Sequence, residues 1–379
     1  MQVLLIGEYS RLHQTLKEGL ETLGHQVVLM ADGDGFKNFP ADWSTAPKIC
    51  RLPILRTLKN GLHKLFGFDA EKLEKGIRTW MFLRKSPVFD VVQFINEKPF
   101  KTFDAWELYF LKRFFSNHNN LYLLSSGIDV ISLRAMQKGV FRYSQMDALR
   151  ENPGLKNKYA YILDYLSTSH LKTHAWMMQH VKGIIASDMD YVLPLQNHPK
   201  FLGLIPNPIH WQRFGETDYS GKVHIFLGIN RWTYEKKGIR FFEEAMQIII
   251  EKYGDNIRYT VAENLPYAEY INVYTSCHIL LDQVYAYDQG YNALEAMAQG
   301  KVVFTGAELE FAAHYGIEMN SVAVNALPDV EDLVEKLSEL IENRDTLARI
   351  GKKAQAFIVK EHDFVNIAKE YVRVWTRES

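Results

Sequence analysis

The sequence predicts an α/β fold of two domains, each a parallel sheet wound with helices on both faces. Three observations predict it. Short apolar runs of strand length alternate with stretches of helical periodicity, the signature of repeated strand, helix, strand units. The alternation begins at residue 3, pauses at Pro206-Asn-Pro208 and restarts at His224. The 379 residues also exceed the size at which one core stops growing, and 47% of them are hydrophobic.

In the first domain, residues 3–6 read as a buried strand, Gly7-Glu-Tyr-Ser10 as a turn and 12–23 as an amphipathic helix. Leu12, Leu16, Leu20 and Leu23 form its apolar stripe, and 27–30 is the next strand. Apolar runs at 91–95 and 121–124 alternate with helical patterns at 69–85 and 103–116. A long helical stretch over 156–180 leads to strands at 183–186 and 201–205. Two prolines around Asn207 fit neither a helix nor a central strand, so the crossing falls there, with domains at 1–205 and 206–360. The second domain expects strands at 224–227, 258–261, 278–281, 302–305 and 321–324. Its helices fall at 238–253, 267–275, 329–343 and 344–359, and a final helix occupies 364–376 within 361–379.

Several functions are disfavoured. Lys plus Arg number 44 against 45 Asp plus Glu, so no global field favours nucleic acid. Cys50 and Cys277 have no Cys-x-x-Cys spacing, so neither a disulfide framework nor a metal site is expected. The turn at Gly7 lacks Gly-x-Gly-x-x-Gly, which argues against a nicotinamide cofactor. No secretory leader and no apolar run of about 18 residues is read, giving a cytoplasmic expectation. Residues 47–68 interleave Lys48, Arg51, Arg56, Lys59, His63 and Lys64 with leucines and Phe66. That pattern suits either a helix packed on its own domain or peripheral contact with an anionic membrane.

Two segments carry chemistry. The loop Gly228-Ile-Asn-Arg-Trp-Thr-Tyr-Glu-Lys-Lys-Gly238 lies between a strand and a helix and concentrates Arg231, Lys236 and Lys237. Helix amino ends and cations together suit a diphosphate. The stretch Asp288 to Gly300 opens a small-residue helix carrying one carboxylate, Glu295, among apolar neighbours. A buried carboxylate needs a donor, from the protein or from ligand hydroxyls.

Gly290-Tyr-Asn-Ala-Leu-Glu-Ala-Met-Ala-Gln-Gly-Lys-Val-Val303 resembles the nucleotide-sugar signature of retaining GT-B glycosyltransferases of the family-4 type, glycosyl transferases group 1. That signature is Glu-x7-Glu. Glu295 matches the second glutamate, which the resemblance places on the donor ribose; the first position falls on Tyr287, beside Asp288. Gly290, Tyr291 and Asn292 are further donor-side candidates. Ile205-Pro-Asn-Pro-Ile-His210 is similar to the family's linker before the donor domain. The resemblance implies that Arg231 and Lys237, with Lys236 as a substitute, neutralise the leaving diphosphate. It also places Gly7 against the donor phosphate across the cleft, and lets the last helix return to the first domain.

By topology Glu263 and Asn264 lie near the nucleobase, and Asp282 and Gln283 either orient the 287–290 loop or touch the donor sugar. Where many relatives keep a histidine, this chain offers Ser125, Ser126 and Asp129, so Ser126 and Asp129 are the acceptor-side candidates. The implied activity is metal-independent, retaining transfer of a sugar from a nucleotide-diphosphate donor to a hydroxyl of a glycan, lipid-linked sugar or small molecule, with no cofactor. Two other readings stand: a non-catalytic nucleotide-sugar-binding subunit, and a sugar-nucleotide epimerase of the same fold.

Overall fold

The computed structural model describes residues 1–50, 52, 68–215, 217–263 and 274–377. Asn264, nearly all of the basic stretch between 51 and 67, and most of the helix expected at 267–275 lie outside the described residues.

Two parallel sheets organise the chain. The first contains β1 (Gln2–Ile6), β2 (Gln26–Ala31), β3 (Trp43–Ser44), β4 (Val91–Phe94), β5 (Leu121–Ser125), β6 (Gly183–Ala186) and β7 (Phe201–Leu204), in the order β3-β2-β1-β4-β5-β6-β7. The second contains β8 (Val223–Ile229), β9 (Ile257–Glu263), β10 (Ile279–Leu281), β11 (Val302–Thr305) and β12 (Val324–Asn325), in the order β12-β11-β10-β8-β9. Strands β1, β4, β5, β10 and β11 are almost wholly buried, which is why they read as unbroken apolar runs. Strand order reverses between β1 and β4 and again between β8 and β10, so a crevice opens outside the carboxyl ends at each point.

One expected element comes apart. The stretch 156–180 is not one helix: turns at Pro153–Asn157 and Asp164–Leu166 flank a short helix, Ala160–Leu163, before Thr168–His180 begins. Ser167 starts that last helix by accepting the His170 N–H, a local bond that competes with continuation. The helix expected at 238–253 stands as Ile239–Tyr253, while the loop before it holds a short helix, Tyr234–Lys237; Gly238 separates the two, with φ of 65° and a position against Val284 where a Cβ would meet Cγ2 at 2.3 Å.

The chain crosses between lobes twice, side by side. Ile209 N donates to His362 O at 2.7 Å, His362 Nδ1 to Asn207 O at 2.8 Å, and Trp211 Nε1 to Asp363 Oδ2 at 2.9 Å. The final helix, Phe364–Trp375, packs on helix Leu12–Thr22, burying Ile367, Ala368, Tyr371 and Trp375 among Leu12, Leu16 and Leu20. A second apolar cluster runs through the seam itself, joining Phe141, Tyr159 and Met189 of the first lobe to Tyr287, Leu294 and Phe311 of the second. No helix of the described residues is long and apolar enough to cross a membrane.

Gly19 is where the final helix touches most closely, since a Cβ there would stand 2.2 Å from Phe364 O and 2.9 Å from Ala368 Cβ. Gly19→Ala should therefore overpack the contact and lower stability by about 1–3 kcal/mol. Calorimetric melting of the two proteins measures it, and an unchanged Tm would contradict the docking.

Candidate functional site

The second lobe's crevice is floored by Asp282, which follows β10 and is almost fully buried. Lys237 Nζ donates to its Oδ1 at 2.7 Å, Asn292 Nδ2 to the same oxygen at 3.2 Å, and Thr305 Oγ1 to Oδ2 at 3.3 Å. Lys237 is placed by its own main chain as well, its carbonyl accepting Val284 N at 2.9 Å. The structure thus joins the 230–238 loop, the carboxyl end of β10 and the head of helix Tyr291–Ala298 through one carboxylate.

Arg231 lies on the rim. Its Nε and Nη2 pair with both oxygens of Glu263, each at 2.8 Å, and both side chains are about half exposed. Lys236 turns the other way, its Nζ 4.5 Å from the centre of the Tyr161 ring in the first lobe. Burial, with Lys237 adjacent, pushes its ammonium down to about 8. Trp232 stacks on the same ring at 5.6 Å, so a first-lobe aromatic sits against the loop expected to hold a diphosphate.

Glu295 is buried on helix Tyr291–Ala298, one turn beyond Tyr291. The Tyr291 hydroxyl donates to Pro208 O at 2.8 Å and bonds Thr15 Oγ1 at 2.7 Å, tying this helix to the first lobe. Burial, then the Glu295 charge, raise its hydroxyl well above the ordinary range. Gly290 heads the helix in an extended conformation open to any residue, and a Cβ there would meet only Gln283 Nε2, at 3.7 Å. Its missing side chain leaves room at the helix head.

Tyr287 faces a different neighbourhood. Its hydroxyl accepts Arg142 N at 2.6 Å, Phe141 meets it edge-on at 5.2 Å, and the Arg142 guanidinium lies 4.7 Å over its ring. Arg142 continues to Glu308 at 2.8 Å and Glu310 at 2.7 Å. The residue at the signature's first position is thereby enclosed in contact with the first lobe.

Below it, carboxylates clasp backbone across the seam. Asp190 accepts Tyr287 N at 3.1 Å and Asp288 N at 3.3 Å, while Asp288 Oδ2 accepts Met189 N at 3.0 Å. Asp188 caps the helix that contains Asp190. Burial pushes the Asp190 and Asp288 carboxyls up to about 7, and burial together with the Asp190 and Asp288 charges raises the Asp188 carboxyl well above its ordinary range.

On the first lobe, Gly7 has φ of 88°, and a Cβ there would stand 2.2 Å from Ile95 Cγ2, so the backbone itself requires glycine. The amino end of helix Leu12–Thr22 is taken by Glu8, which accepts Gln14 N at 2.8 Å and His13 N at 3.3 Å. Burial raises the Glu8 carboxyl to about 8. Ser126 Oγ donates to Ile95 O at 2.8 Å, and Asp129 caps helix Val130–Gln137 through Ser132 N at 2.6 Å. Both are buried in local structural bonds. Asn264 is outside the described residues.

Sequence reading missed Asp190, Arg142, Glu308 and Tyr161, each of which acts on a residue in the other lobe. Only the Asp188-x-Asp190 start of a helix offered a local signal, and it named no partner.

Comparison with known proteins follows this geometry. Residues 224–373 match the model of a family described as glycosyl transferase-like. No curated protein matches the sequence. Among solved structures, sucrose-phosphate synthase from Thermosynechococcus elongatus superposes with a TM-score of 0.62 at 13% identity, covering 99% of this chain and 98% of that one. HepE of Anabaena, in complex with UDP and glucose, gives 0.59 at 12% identity over 98% of each chain. A glycosyltransferase from Rickettsia africae gives 0.53 at 12% identity over 99% and 97%. At these identities the likeness is one of fold, over the full length.

The seam carboxyls fix a pH dependence. Their folded-state values, about 7, lie above the ordinary 3.8, so their contribution is fully present below the unfolded value and is lost as pH rises through about 7. Asp288→Asn keeps an acceptor for Met189 N without an ionisable group. Its Tm should exceed that of the parent by about 2 °C or more at pH 8, the gap closing toward about pH 4. Melting curves across pH check this, and a gap independent of pH would remove the carboxyl from the seam's balance.

Proposed function

We propose that this chain, with a glycosyl transferase-like match over residues 224–373 and the GT-B fold over its whole length, is a glycosyltransferase that retains anomeric configuration while moving a sugar from a nucleotide-diphosphate donor to a hydroxyl acceptor. The observation that carries the reading is the convergence at the second lobe's switch point. Lys237 is held at 2.7 Å from Asp282, Asn292 shares that carboxylate, and Glu295 rides the same helix as Asn292. HepE, of like fold, is in complex with UDP and glucose, which supports a uridine nucleotide as the first probe.

In this reading the diphosphate lies along the 230–238 loop. Arg231 exchanges Glu263 for phosphate oxygens, and Lys237 adds its charge from the floor. Departure of the nucleotide leaves an oxocarbenium-like sugar and puts negative charge on the leaving oxygen. Preset cations lower that barrier because they need no rearrangement as the charge develops. The leaving phosphate takes the acceptor's proton on the same face, so no separate base and no metal is assigned. Glu295 accepts from the ribose hydroxyls, and the space at Gly290 admits the sugar beside the helix head. The acceptor, a glycan, lipid-linked sugar or small molecule, approaches from the first lobe, and peripheral membrane contact is part of the same proposal.

Arg231→Ala should lower donor turnover by roughly 10–100-fold with melting behaviour retained, and Lys237→Ala should lower it as far while also lowering Tm, because it leaves the buried Asp282 uncompensated. Unchanged turnover in both and in the double variant would refute the diphosphate assignment. For Glu295→Ala, calorimetry with UDP, GDP and ADP should show the preferred nucleotide bound about tenfold more weakly; equal affinity would remove the ribose role.

A further inference from the structure

Helix Ala70–Lys85 is turned partly inside out. Its buried side carries Glu74, Gly76, Thr79 and Phe82, with no partner for the Thr79 hydroxyl among the described residues, whereas Ile77, Trp80 and Met81 are 44%, 43% and 41% exposed. Positions 77, 80, 81 and 84 fall on one stripe of a 3.6-residue period. Arg84 ends the stripe with its guanidinium 4.7 Å from the Trp80 ring, and Lys85 follows, also exposed.

The neighbouring helix, Asp104–Phe115, extends the same character. The Trp106 ring lies against the first helix at Gly76, where a Cβ would stand 2.0 Å from it. Tyr109 is half exposed, and Lys112 and Arg113 are exposed one turn further on. Acids are scarce on this side. Glu74 is bound by Arg78 at 2.8 Å and Glu107 is buried. Asp104 bonds Ser169, and Asp90, the one acid of 70–120 classed as exposed, accepts Gln2 N at 2.7 Å. A chain with net charge −1 therefore concentrates cations and aromatics on one outer face.

We propose that this face, on helices Ala70–Lys85 and Asp104–Phe115, docks on an anionic lipid surface. Trp and Tyr rings settle at headgroup depth, with apolar bodies inward and polar edges in water, while Arg and Lys stems lie along them and carry their charge to phosphate. Positive charge without facing acids selects anionic headgroups over neutral ones. Lys75, on the same helix, reaches Asp32 at 2.7 Å just beyond β2, at the carboxyl end of the first sheet. Trp80 follows about 7.5 Å further along the helix. From Lys75 to Lys85 the helix runs back toward the amino end of β4, so this face lies on the outer side of the first lobe, away from the crevice. The proposal rests on residues outside the donor site and stands independently of the transfer mechanism.

Sedimentation of the full chain with vesicles tests it. The protein should pellet with phosphatidylcholine and phosphatidylglycerol mixed in equal parts, pellet poorly with phosphatidylcholine alone, and be released on raising NaCl from about 0.1 M to about 0.5 M. The double variants Trp80→Ser with Met81→Ser, and Arg84→Glu with Lys85→Glu, should each lower the bound fraction roughly fivefold. Both should keep the parent's circular dichroism, and calorimetric UDP affinity should be the parent's, so loss of lipid binding reads separately from failure of the donor assignment. Absence of pelleting with anionic vesicles, equal pelleting with neutral ones, or variants that bind as the parent does would overturn the proposal. So would a dimer in solution that Trp80→Ser dissociates without any vesicle binding, which would make this face an interface between copies of the chain.

Discussion

The cleft depends on carboxylates that take main-chain N–H groups from the opposite lobe. Asp190 holds the amides of Tyr287 and Asp288, and Asp288 holds the amide of Met189. Main-chain donors have no rotamers to lose, so such bonds fix direction as well as distance. The turn at 287–290 is set by them, and with it the head of helix Tyr291–Ala298, from which Asn292 and Glu295 take their places. Burying several carboxyls together disfavours their charge, which is why they hold protons near neutrality. Gly306 completes the constraint: a Cβ there would stand 2.6 Å from Ala286 O and 2.7 Å from Asp288 N.

The cations of the 231–237 loop are answered at different depths. The Arg231–Glu263 pair is half exposed, so water and salt already weaken it, and a diphosphate competes with the carboxylate on easy terms. The Lys237–Asp282 pair is different, because Asp282 is buried and further bonded to Asn292 and Thr305. Removing one partner of such a pair leaves an uncompensated charge. Arg231 is therefore free to change partners, whereas Lys237 is fixed where it stands.

Periodicity made the fold class legible, because buried parallel strands and amphipathic helices have different periods. The helix bearing Glu295 and Asn292 was legible too, through its small residues between two strands. What stayed hidden is non-local or is capping chemistry. Asp129-x-x-Ser132 is a capping box, and the side chain that read as an acceptor contact closes a helix amino end instead. Nothing near Tyr287 in sequence announces Phe141, Arg142 and Tyr143, which enclose it. The 156–180 stretch has enough apolar residues for one helix, yet Ser167 offers its own start signal within it.

Lys236 and Lys237 were interchangeable in the sequence and are not in the structure. Among the described residues, the side chains that hold Lys237 belong to the second lobe: Asp282 directly, then Asn292 and Thr305 behind it. Lys236 depends on the first lobe instead, through the Tyr161 ring that also stacks on Trp232. Separating the lobes would leave Lys237 in place but would return Lys236 to water, relieving the burial that lowers its proton affinity. Of two adjacent lysines, one thus belongs to the second lobe's fixed geometry and the other registers how closely the two lobes meet.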